Sequence, residues 1–471
     1  MSLLELKALL PQLLMVLGAT VVLVAGAWVR NRRLWLLTGL VLALGAAFIA
    51  GTVEPPVAEV AGMFSTSLYA RFCTIAWSLV IAATLLLSGR YADLHRYGGG
   101  EYTSLLLFAG TGMSLLSAAT SFLGLFLSLE AFTLVLYILI AFNRVDNLGA
   151  EAGLKYLVFG AVATGFIAFG IALIYTASGT LHIAEALAAL QVDGAMRPLG
   201  LAGWALMLVA IGFKISLVPF HFWTPDVYQG APAPVGGVMA TAAKGAVLAA
   251  FLPLLDGLGV AGGEIKQVLW LLAILTMLVG TFSALSQTNL KRMLAYSSVT
   301  HMGYLLIALL IGGADGGQAL LFYLVVYSFA TFGAFGVITS WALEDGEVQN
   351  YDDLRGLGYL HPRRSSALAL FMLSLAGVPP LAGFFGKFGI FHAALQHGYL
   401  ELALIGVFAS LVSLYYYLRP IIVLFMQERD AHQLRSGSGE EFVLLAGCCV
   451  ATLFFGIYPG PLLDLIMTLL P

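Results

Sequence analysis

The chain has 471 residues, of which 60% are hydrophobic and only 10% are charged, and its formal net charge is −3 at pH 7. This composition excludes a water-soluble globular protein, and the balance of charge offers no basic surface for nucleic acid. A helix needs about 20 apolar residues to cross about 30 Å of hydrocarbon, and the sequence contains many such runs. The alternation typical of a membrane β-barrel is missing, so we predict an all-α polytopic membrane protein.

Hydropathy and turn residues predict about fourteen transmembrane helices, joined by short polar connections. They lie near residues 11–29, 34–52, 67–88, 103–120, 121–142, 154–177, 201–224, 233–257, 267–287, 294–312, 317–342, 365–396, 400–425 and 441–464. The fourth and fifth spans are almost continuous, which makes their boundary the hardest to place. The first span lacks a basic n-region and a small-residue cleavage site, so we expect it to be retained rather than cleaved.

Positive charge is distributed unevenly between the two sides of these spans. The loops that follow odd-numbered spans hold thirteen cations: Arg30, Arg32, Arg33, Arg90, Arg96, Arg144, Lys291, Arg292, Arg355, Arg363, Arg364, Arg429 and Arg435. The opposite side holds four: Lys7, Arg71, Arg197 and Lys266. Because cytoplasmic loops carry the excess of Lys and Arg, this asymmetry predicts that both termini lie outside the cytoplasm.

The residues that commonly hold metals and clusters show no suitable spacing. The three cysteines, Cys73, Cys448 and Cys449, form no CxxC motif, and the eight histidines form no HxxxH or HExxH motif. No glycine-rich phosphate loop follows a strand pattern. We therefore predict that this chain itself binds no metal and no redox cofactor.

Charged residues inside the predicted spans are the main functional signal. A lysine at mid-membrane costs about 2.5–3.5 kcal/mol, so such residues are usually functional and face protein or water. Lys214 and Lys244 are predicted at the centres of spans seven and eight, and Glu130 at the centre of span five. A lysine with a movable carboxylate partner can release its proton, whereas an arginine stays charged. The alternative is a static buried Glu130–Lys214 pair that only fixes helix packing.

Three further residues are candidates from their positions. Lys155 lies at the entrance of span six, where snorkelling to the membrane surface is the alternative to a functional role. His301 lies within span ten and is either a proton relay or a simple polar contact. Lys387 follows a pair of prolines in span twelve.

Prolines predict that spans seven and twelve are broken. Pro219 interrupts span seven, and Pro379 and Pro380 interrupt span twelve, which is too long to cross the membrane as one helix. Two broken spans five helices apart predict two inverted five-helix repeats, spans 4–8 and 9–13, as in transporters. The corresponding domains are residues 1–100, a three-helix segment; 101–260 and 261–428, the two repeats; and 429–471, a C-terminal helix.

Three long motifs carry a family resemblance: "GFKISLVPFHFWTPDVYQGAPAPV", "TNLKRMLAYSSVTHMGY" and "AGVPPLAGFFGKF". They resemble the antiporter-like membrane subunits of respiratory complex I, and the resemblance covers about residues 100 to 425. The chain has no long lateral helix of the subunit L kind, and it has a lysine, Lys387, where subunit M carries glutamate. By this resemblance Glu130 and Lys214 match the family's ion pair, Lys155 its bridging lysine, Lys244 its central lysine and Lys387 its exit-side lysine.

The resemblance also implies an assembly and a location. The implied partners are the membrane subunits M, L, K, J, A and H, together with a peripheral arm whose FMN and iron–sulfur clusters, like the quinone, belong to other subunits. The implied function is proton translocation by an NADH:quinone oxidoreductase in a bacterial inner membrane. The alternatives are a subunit of a sodium/proton antiporter or membrane-bound hydrogenase, and a scaffold that translocates nothing.

Overall fold

The fold is almost entirely helical, as expected from the composition. The computed structural model describes residues 2–97, 99–143, 145–191, 194–256, 262–344, 346–427 and 437–470. In chain order the helices are α1 (Leu3–Ala8), α2 (Leu10–Gly26), α3 (Arg32–Thr52), α4 (Leu68–Leu94), α5 (Gly99–Ser117), α6 (Phe122–Ile140), α7 (Asn147–Ser178), α8 (Ile183–Leu190), α9 (Arg197–Lys214), α10 (Trp223–Gly230), α11 (Ala233–Val238), α12 (Lys244–Asp256), α13 (Gly262–Leu285), α14 (Leu290–Ile311), α15 (Gly313–Ser340), α16 (Tyr351–Leu354), α17 (Leu357–Leu360), α18 (Pro362–Ala376), α19 (Ala382–Gln396), α20 (Leu400–Met426), α21 (Gly439–Ile457) and α22 (Gly460–Met467).

The helices reproduce the fourteen predicted spans. Within the described ranges, eleven helical segments are long and apolar enough to cross a membrane. The shorter apolar helix α2, the less apolar α5 and the broken pair α18–α19 occupy the positions of the remaining three spans. The fourth and fifth spans are separate helices, because the Ser121 hydroxyl accepts a hydrogen bond from the amide of Gly124 and caps the start of α6.

The interior of the bundle is formed by a few helices from the middle of the chain. The segment Ala233–Leu255 is 94% buried over its most apolar window, and α14 and α15 are 89% and 83% buried. In contrast, α7 and α21 are only 28% buried and expose large apolar side chains. Polar groups on α12 and α14 are therefore shielded from lipid by surrounding helices.

The break in span seven lies closer to Lys214 than the sequence predicts. We expect Lys214 at the centre of this span, but α9 ends at Lys214 and the chain turns before α10 begins at Trp223. The proline at 219 has no amide hydrogen to continue a helix. The freed backbone groups find side-chain partners, since the Trp223 indole donates to the Phe213 carbonyl and Thr276 accepts from the Val218 amide.

The break in span twelve is confirmed between α18 and α19. Helix α18 ends at Ala376, and Gly377 follows with a φ of 87°, a conformation that glycine adopts without strain. Gly383, in the first turn of α19, lies so close to the carbonyl of Ser374 that a Cβ atom would be 1.9 Å from its oxygen. The two half-helices therefore pack closely across the proline pair.

Short strands and a π-helical turn complete the structure. Strands β1 (Glu59–Val60) and β2 (Phe64–Ser65) pair antiparallel, as do β3 (Ala342–Leu343) and β4 (Gly346–Glu347). The π-helical turn Met239–Ala243 joins α11 to α12 and directly precedes Lys244.

Several predicted features lie outside the described residues. These are the domain boundaries at 260/261 and 428/429 and three of the cations counted for orientation, Arg144, Arg429 and Arg435. The boundary at 100/101 falls in the first turn of α5.

Candidate functional site

The structure brings Glu130 and Lys214 together. The Lys214 ammonium, on the last residue of α9, lies 3.7 Å from Oε1 of Glu130 on α6. It also donates a hydrogen bond of 3.2 Å to the Thr133 hydroxyl. The exposed fraction of the two side chains is 2% for Lys214 and 16% for Glu130. The pair is therefore in contact but looser than a charge-assisted hydrogen bond, which measures about 2.7–2.9 Å.

Lys244 lies deeper in the bundle and has no carboxylate beside it among the described residues. Its ammonium donates a 2.8 Å hydrogen bond to the Ser298 hydroxyl of α14 and lies 5.4 Å from the centre of the Tyr228 ring. The residue is 1% exposed. A serine hydroxyl and an aromatic face accept an ammonium without neutralising it, so this site can hold or release a proton.

His301 lies at the centre of a hydrogen-bonded group of tyrosines. Its Nδ1 is 2.5 Å from the Tyr323 hydroxyl of α15, and its Nε2 is 2.7 Å from the Tyr417 hydroxyl of α20. Tyr417 in turn forms a hydrogen bond with Ser297. Both ring nitrogens have hydroxyl partners that can donate or accept, an arrangement suited to passing a proton across the imidazole.

Lys387 reaches back from α19 to the break in span twelve. Its ammonium donates to the carbonyl of Ala376, the last residue of α18, at 3.0 Å, and to the Ser410 hydroxyl at 2.9 Å. It also lies 5.3 Å from the centre of the Tyr304 ring. In sequence Lys214 precedes its proline whereas Lys387 follows one, yet both lysines meet the end of the first half of a broken span.

One helix connects Lys244 to Lys387. Ser298, His301 and Tyr304 follow each other at intervals of three residues on α14, so they lie on adjoining parts of its surface. Ser298 contacts Lys244, and the Tyr304 ring contacts Lys387. His301 lies between them, with its ring centre 5.6 Å from that of Tyr304. Helix α14 therefore carries a buried polar row between the two lysines.

A series of aromatic rings leads from the sequence neighbour of Lys214 to the ring beside Lys244. Phe213, the neighbour of Lys214, is 5.4 Å from Trp223 between ring centres, and Trp223 is 6.4 Å from Tyr228. Tyr228 is the ring beside Lys244. Proton passage between these two lysines would therefore need water or a side-chain movement past these rings.

Lys155 lies away from this row, in a cluster of charged side chains. Its ammonium binds Asp226 at 2.8 Å and Glu151 at 2.7 Å, and the side chain is 38% exposed. Arg292 binds the other oxygen of Asp226 at 2.7 Å. Burial raises the pKa of Asp226, but the hydrogen bonds from Lys155 and Arg292 outweigh it and hold the pKa below its ordinary value.

The prediction that Lys291 is a loop cation is wrong, because Lys291 lies in the first turn of α14. Lys291 is buried, with 2% of its side chain exposed, and its ammonium binds the Glu347 carboxylate at 2.6 Å. Glu347 also accepts from the Tyr91 hydroxyl at 2.6 Å and from the amide of Ala233, at the start of α11, at 2.8 Å. The pairing is invisible in the sequence because the two residues are far apart along the chain and lie near span ends.

Other partners of the candidate residues carry little sequence signal. Hydroxyl residues are frequent in these apolar helices, so nothing distinguishes the ones that hold a charge: Thr133, Thr164, Ser298 and Ser410. Asp226 does carry a signal, because it is an isolated carboxylate in the apolar run "HFWTPDVY".

The described residues contain no group of three or more His, Cys, Asp or Glu side chains placed to hold a metal ion. Cys73 and Cys448 are buried free thiols, and Cys449 is partly buried. The candidate residues described above offer a different chemistry: the buried amines of Lys214, Lys244 and Lys387, the His301 imidazole, neighbouring hydroxyls and the Glu130 carboxylate.

Comparison with known proteins identifies the family. Residues 119–413 match the family model described as NADH:quinone oxidoreductase/Mrp antiporter, TM. The NADH-quinone oxidoreductase subunit N of Geotalea uraniireducens (strain Rf4) is 45% identical over 474 residues, which covers 100% of both chains. The chain belongs to the subunit N family. The subunit N of Rhodospirillum rubrum is 37% identical over 97% of this chain and 95% of its own length.

Solved structures of membrane complexes share this fold. A chain of respiratory complex I from Thermus thermophilus with bound aureothin has a TM-score of 0.82 and 33% identity, covering 96% of this chain and 98% of that one. A chain of the membrane-bound sulfane sulfur reductase, an archaeal respiratory membrane complex, has a TM-score of 0.87 and 25% identity, covering 98% and 96%. A chain of the Mrp complex from Dietzia sp. DQ12-45-1b, at 21% identity and a TM-score of 0.84 over 99% and 97%, shares the fold. The predicted fold class and family resemblance are confirmed.

Proposed function

We propose that this chain is a proton-translocating subunit of a bacterial NADH:quinone oxidoreductase. The observation that carries the proposal is the polar row on α14, where Ser298, His301 and Tyr304 connect the buried amines of Lys244 and Lys387. Membership of the subunit N family indicates which complex the chain belongs to. A row of buried groups that accept and release protons, with amines at both ends, has little use as packing and suits proton transfer.

In this proposal, protons enter a half-channel and are held on Lys214 and Lys244. They pass along α14 through His301 to Lys387 and leave on the other side of the membrane. Glu130 acts as the counter-charge whose distance from Lys214 decides whether the amine keeps its proton. The carboxylate and the amine are already in loose contact, at 3.7 Å.

The energy of such a pair is of the right size for a switch. Moving one charge against 100 mV costs about 2.3 kcal/mol. An ion pair at about 4 Å contributes roughly 4 kcal/mol at an effective dielectric constant of 20. Separating Glu130 from Lys214 therefore changes the energy of the proton on Lys214 by more than the energy needed to move one charge against the membrane potential.

Lys155 enters the proposal as a bridging residue, as the family resemblance implies. Its contacts with Asp226 and Glu151 support a position where protons or charge reach the site from the membrane surface, and Arg292 shares Asp226 with it. In the alternative, the cluster only anchors the end of α10.

The proposal includes a location and neighbouring subunits for the chain. We assign it to the bacterial inner membrane with both termini on the periplasmic side, beside the membrane subunits M, L, K, J, A and H. FMN, iron–sulfur clusters and quinone would be held by other subunits, so the redox energy arrives through contacts with neighbours. We also retain the division into two inverted repeats, residues 101–260 and 261–428, flanked by residues 1–100 and 429–471.

The rival function is cation/proton exchange without NADH chemistry. The shared fold of the Mrp complex chain favours keeping it as the second candidate. Both functions would use similar residues in this chain, so only the partner proteins distinguish them. The test is to purify the native assembly in mild detergent, using this chain as the bait. We expect a large assembly with flavin, iron–sulfur clusters and inhibitor-sensitive NADH:quinone activity. An assembly without redox centres would contradict the proposal and favour exchange.

A further inference from the structure

Thr164 binds the same carboxylate oxygen that faces Lys214. Its hydroxyl, on α7, donates a 2.7 Å hydrogen bond to Oε1 of Glu130, and the Lys214 ammonium lies 3.7 Å from that oxygen. The hydroxyl, and not the ammonium, is thus the nearer donor to this oxygen. The carboxylate on α6 is therefore shared between two helices, α7 and α9.

The Thr164 hydroxyl has a second acceptor within reach. The carbonyl oxygen of Gly160, one turn earlier on α7, lies 3.0 Å from Thr164 Oγ1. A hydroxyl has one proton to donate, so it serves Glu130 or Gly160 but not both fully. The carboxylate can consequently move away without leaving the hydroxyl unpaired, which gives Thr164 two satisfied arrangements.

A second threonine holds the other partner of the pair. Thr133 accepts the hydrogen bond from Lys214 at 3.2 Å while its own proton goes to the Leu129 carbonyl at 2.6 Å. Each ion of the pair therefore has its own hydroxyl partner. These separate partners account for the loose contact between Glu130 and Lys214, because neither ion depends on the other for its hydrogen bond.

We propose that Thr164 is a positioning residue that holds Glu130 in the loosened arrangement of the Glu130–Lys214 pair. The inference rests on the proposed function, in which the separation of this pair controls the proton on Lys214. Without the hydroxyl, the nearest strong donor for the carboxylate is the ammonium. The pair then closes towards the charge-assisted hydrogen-bond distance, and Lys214 keeps its proton more tightly.

The other ionisable groups around the carboxylate do not replace this contact. Three described ionisable groups interact electrostatically with Glu130: Lys214 on α9, Tyr137 on α6 and Tyr156 on α7. Neither tyrosine forms a hydrogen bond with Glu130 among the described contacts, whereas Thr164 does.

The experiment compares variants in the purified complex reconstituted into liposomes. Thr164→Val removes the hydroxyl at constant shape, and Thr164→Ser retains it. Thr176→Val is the matched control, because Thr176 lies on the exposed face of the same helix and its hydroxyl donates only to Ala172 at 2.8 Å. The rate of NADH-driven proton pumping is measured from pH 6 to about pH 9, a range on both sides of neutral pH that ends below the ordinary pKa of lysine.

We expect Thr164→Val to lower pumping at least about tenfold at neutral pH, the lower end of the factor that one hydrogen bond to a charged group contributes. We also expect the pH profile to be displaced towards alkaline values. Thr164→Ser and Thr176→Val retain the wild-type profile. If Thr164→Val behaves as Thr176→Val does, the inference is wrong. A loss of activity without displacement of the profile also contradicts it, because a purely structural role predicts that result.

A second background separates this inference from the proposed function. In Glu130→Gln the carboxylate is gone, so adding Thr164→Val should change nothing further. Should Glu130→Gln itself pump normally, the proposed function fails and this inference fails with it. Should Glu130→Gln be impaired while Thr164→Val pumps normally with an unchanged profile, only this inference fails. If Thr164→Val does not assemble, Thr164→Ala serves the same comparison.

Discussion

Lys244 donates a 2.8 Å hydrogen bond to Ser298, and this contact joins the helix that follows the π-helical turn to the helix that carries His301. Both side chains are buried, so no solvent competes for the bond. Lys244 thereby meets the polar row on α14 at its first member. The contact makes Ser298 the first acceptor available to a proton that leaves Lys244 along α14.

Replacement of Ser298 by alanine tests this step. The change removes the hydroxyl that accepts a hydrogen bond from a buried ammonium. A hydrogen bond to a charged group is worth about 1.5–3 kcal/mol, so we expect proton pumping to fall at least about tenfold. Ser328→Ala is the control, since Ser328 lies on α15 and its hydroxyl donates to the Leu324 carbonyl. Pumping is measured in liposomes at equal amounts of assembled complex. Equal pumping by the two variants would contradict the role of Ser298.

The Glu347–Lys291 pair predicts a large effect on stability. Glu347→Ala leaves the Lys291 ammonium buried without its counter-ion, and we expect a loss of about 3–5 kcal/mol, seen as a lower thermal midpoint and less assembled complex. Adding Lys291→Met removes the orphaned charge and should restore most of the loss. Asp352→Ala is the matched control, because its pair with Arg355 is exposed and is worth at most about 1 kcal/mol. A Glu347→Ala complex as stable as Asp352→Ala would contradict the prediction.

The charge cluster around Asp226 predicts a pH-dependent stability. Because hydrogen bonds from Lys155 and Arg292 hold the pKa of Asp226 below its ordinary value, its contribution is present above the unfolded pKa of about 3.9. The contribution is lost as pH falls through the lower folded-state pKa. We expect Asp226→Asn to lower the thermal midpoint at pH 7, and the difference from the wild type to shrink below about pH 4. A difference that stays constant with pH would show that charge is not the cause.

Much of the fold follows from the sequence because the bilayer restricts the possible structures. Runs of apolar residues fix the spans, and Pro219 and the pair Pro379–Pro380 fix where two of them break. The position of Lys214 within span seven is less predictable. Helix α9 ends five residues before the proline, because the turn also depends on Trp223 and Thr276 from other segments.

The candidate site is only partly visible in the sequence. A lysine within an apolar run is conspicuous, so Lys214, Lys244 and Lys387 are recognised as candidates without a structure. Their hydroxyl partners are not conspicuous, because serine and threonine occur on many faces of these helices. The burial of Lys291 also depends on Glu347, which the β3–β4 hairpin carries to the start of α11.

Replacing Lys214 and measuring proton pumping by the complex tests most directly whether this amine holds and releases a translocated proton. Lys214→Ala removes the amine, and Lys214→Arg keeps a charge that does not release its proton. Lys7→Ala is the control, because Lys7 is exposed in the short helix α1. The measurements are the rate of proton pumping and the rate of NADH:quinone reduction, at equal amounts of assembled complex in liposomes. We expect both Lys214 variants to assemble, to lose most of their pumping and to lose coupled quinone reductase activity. Lys7→Ala should behave as the wild type. Normal pumping by either Lys214 variant would contradict this role of the amine.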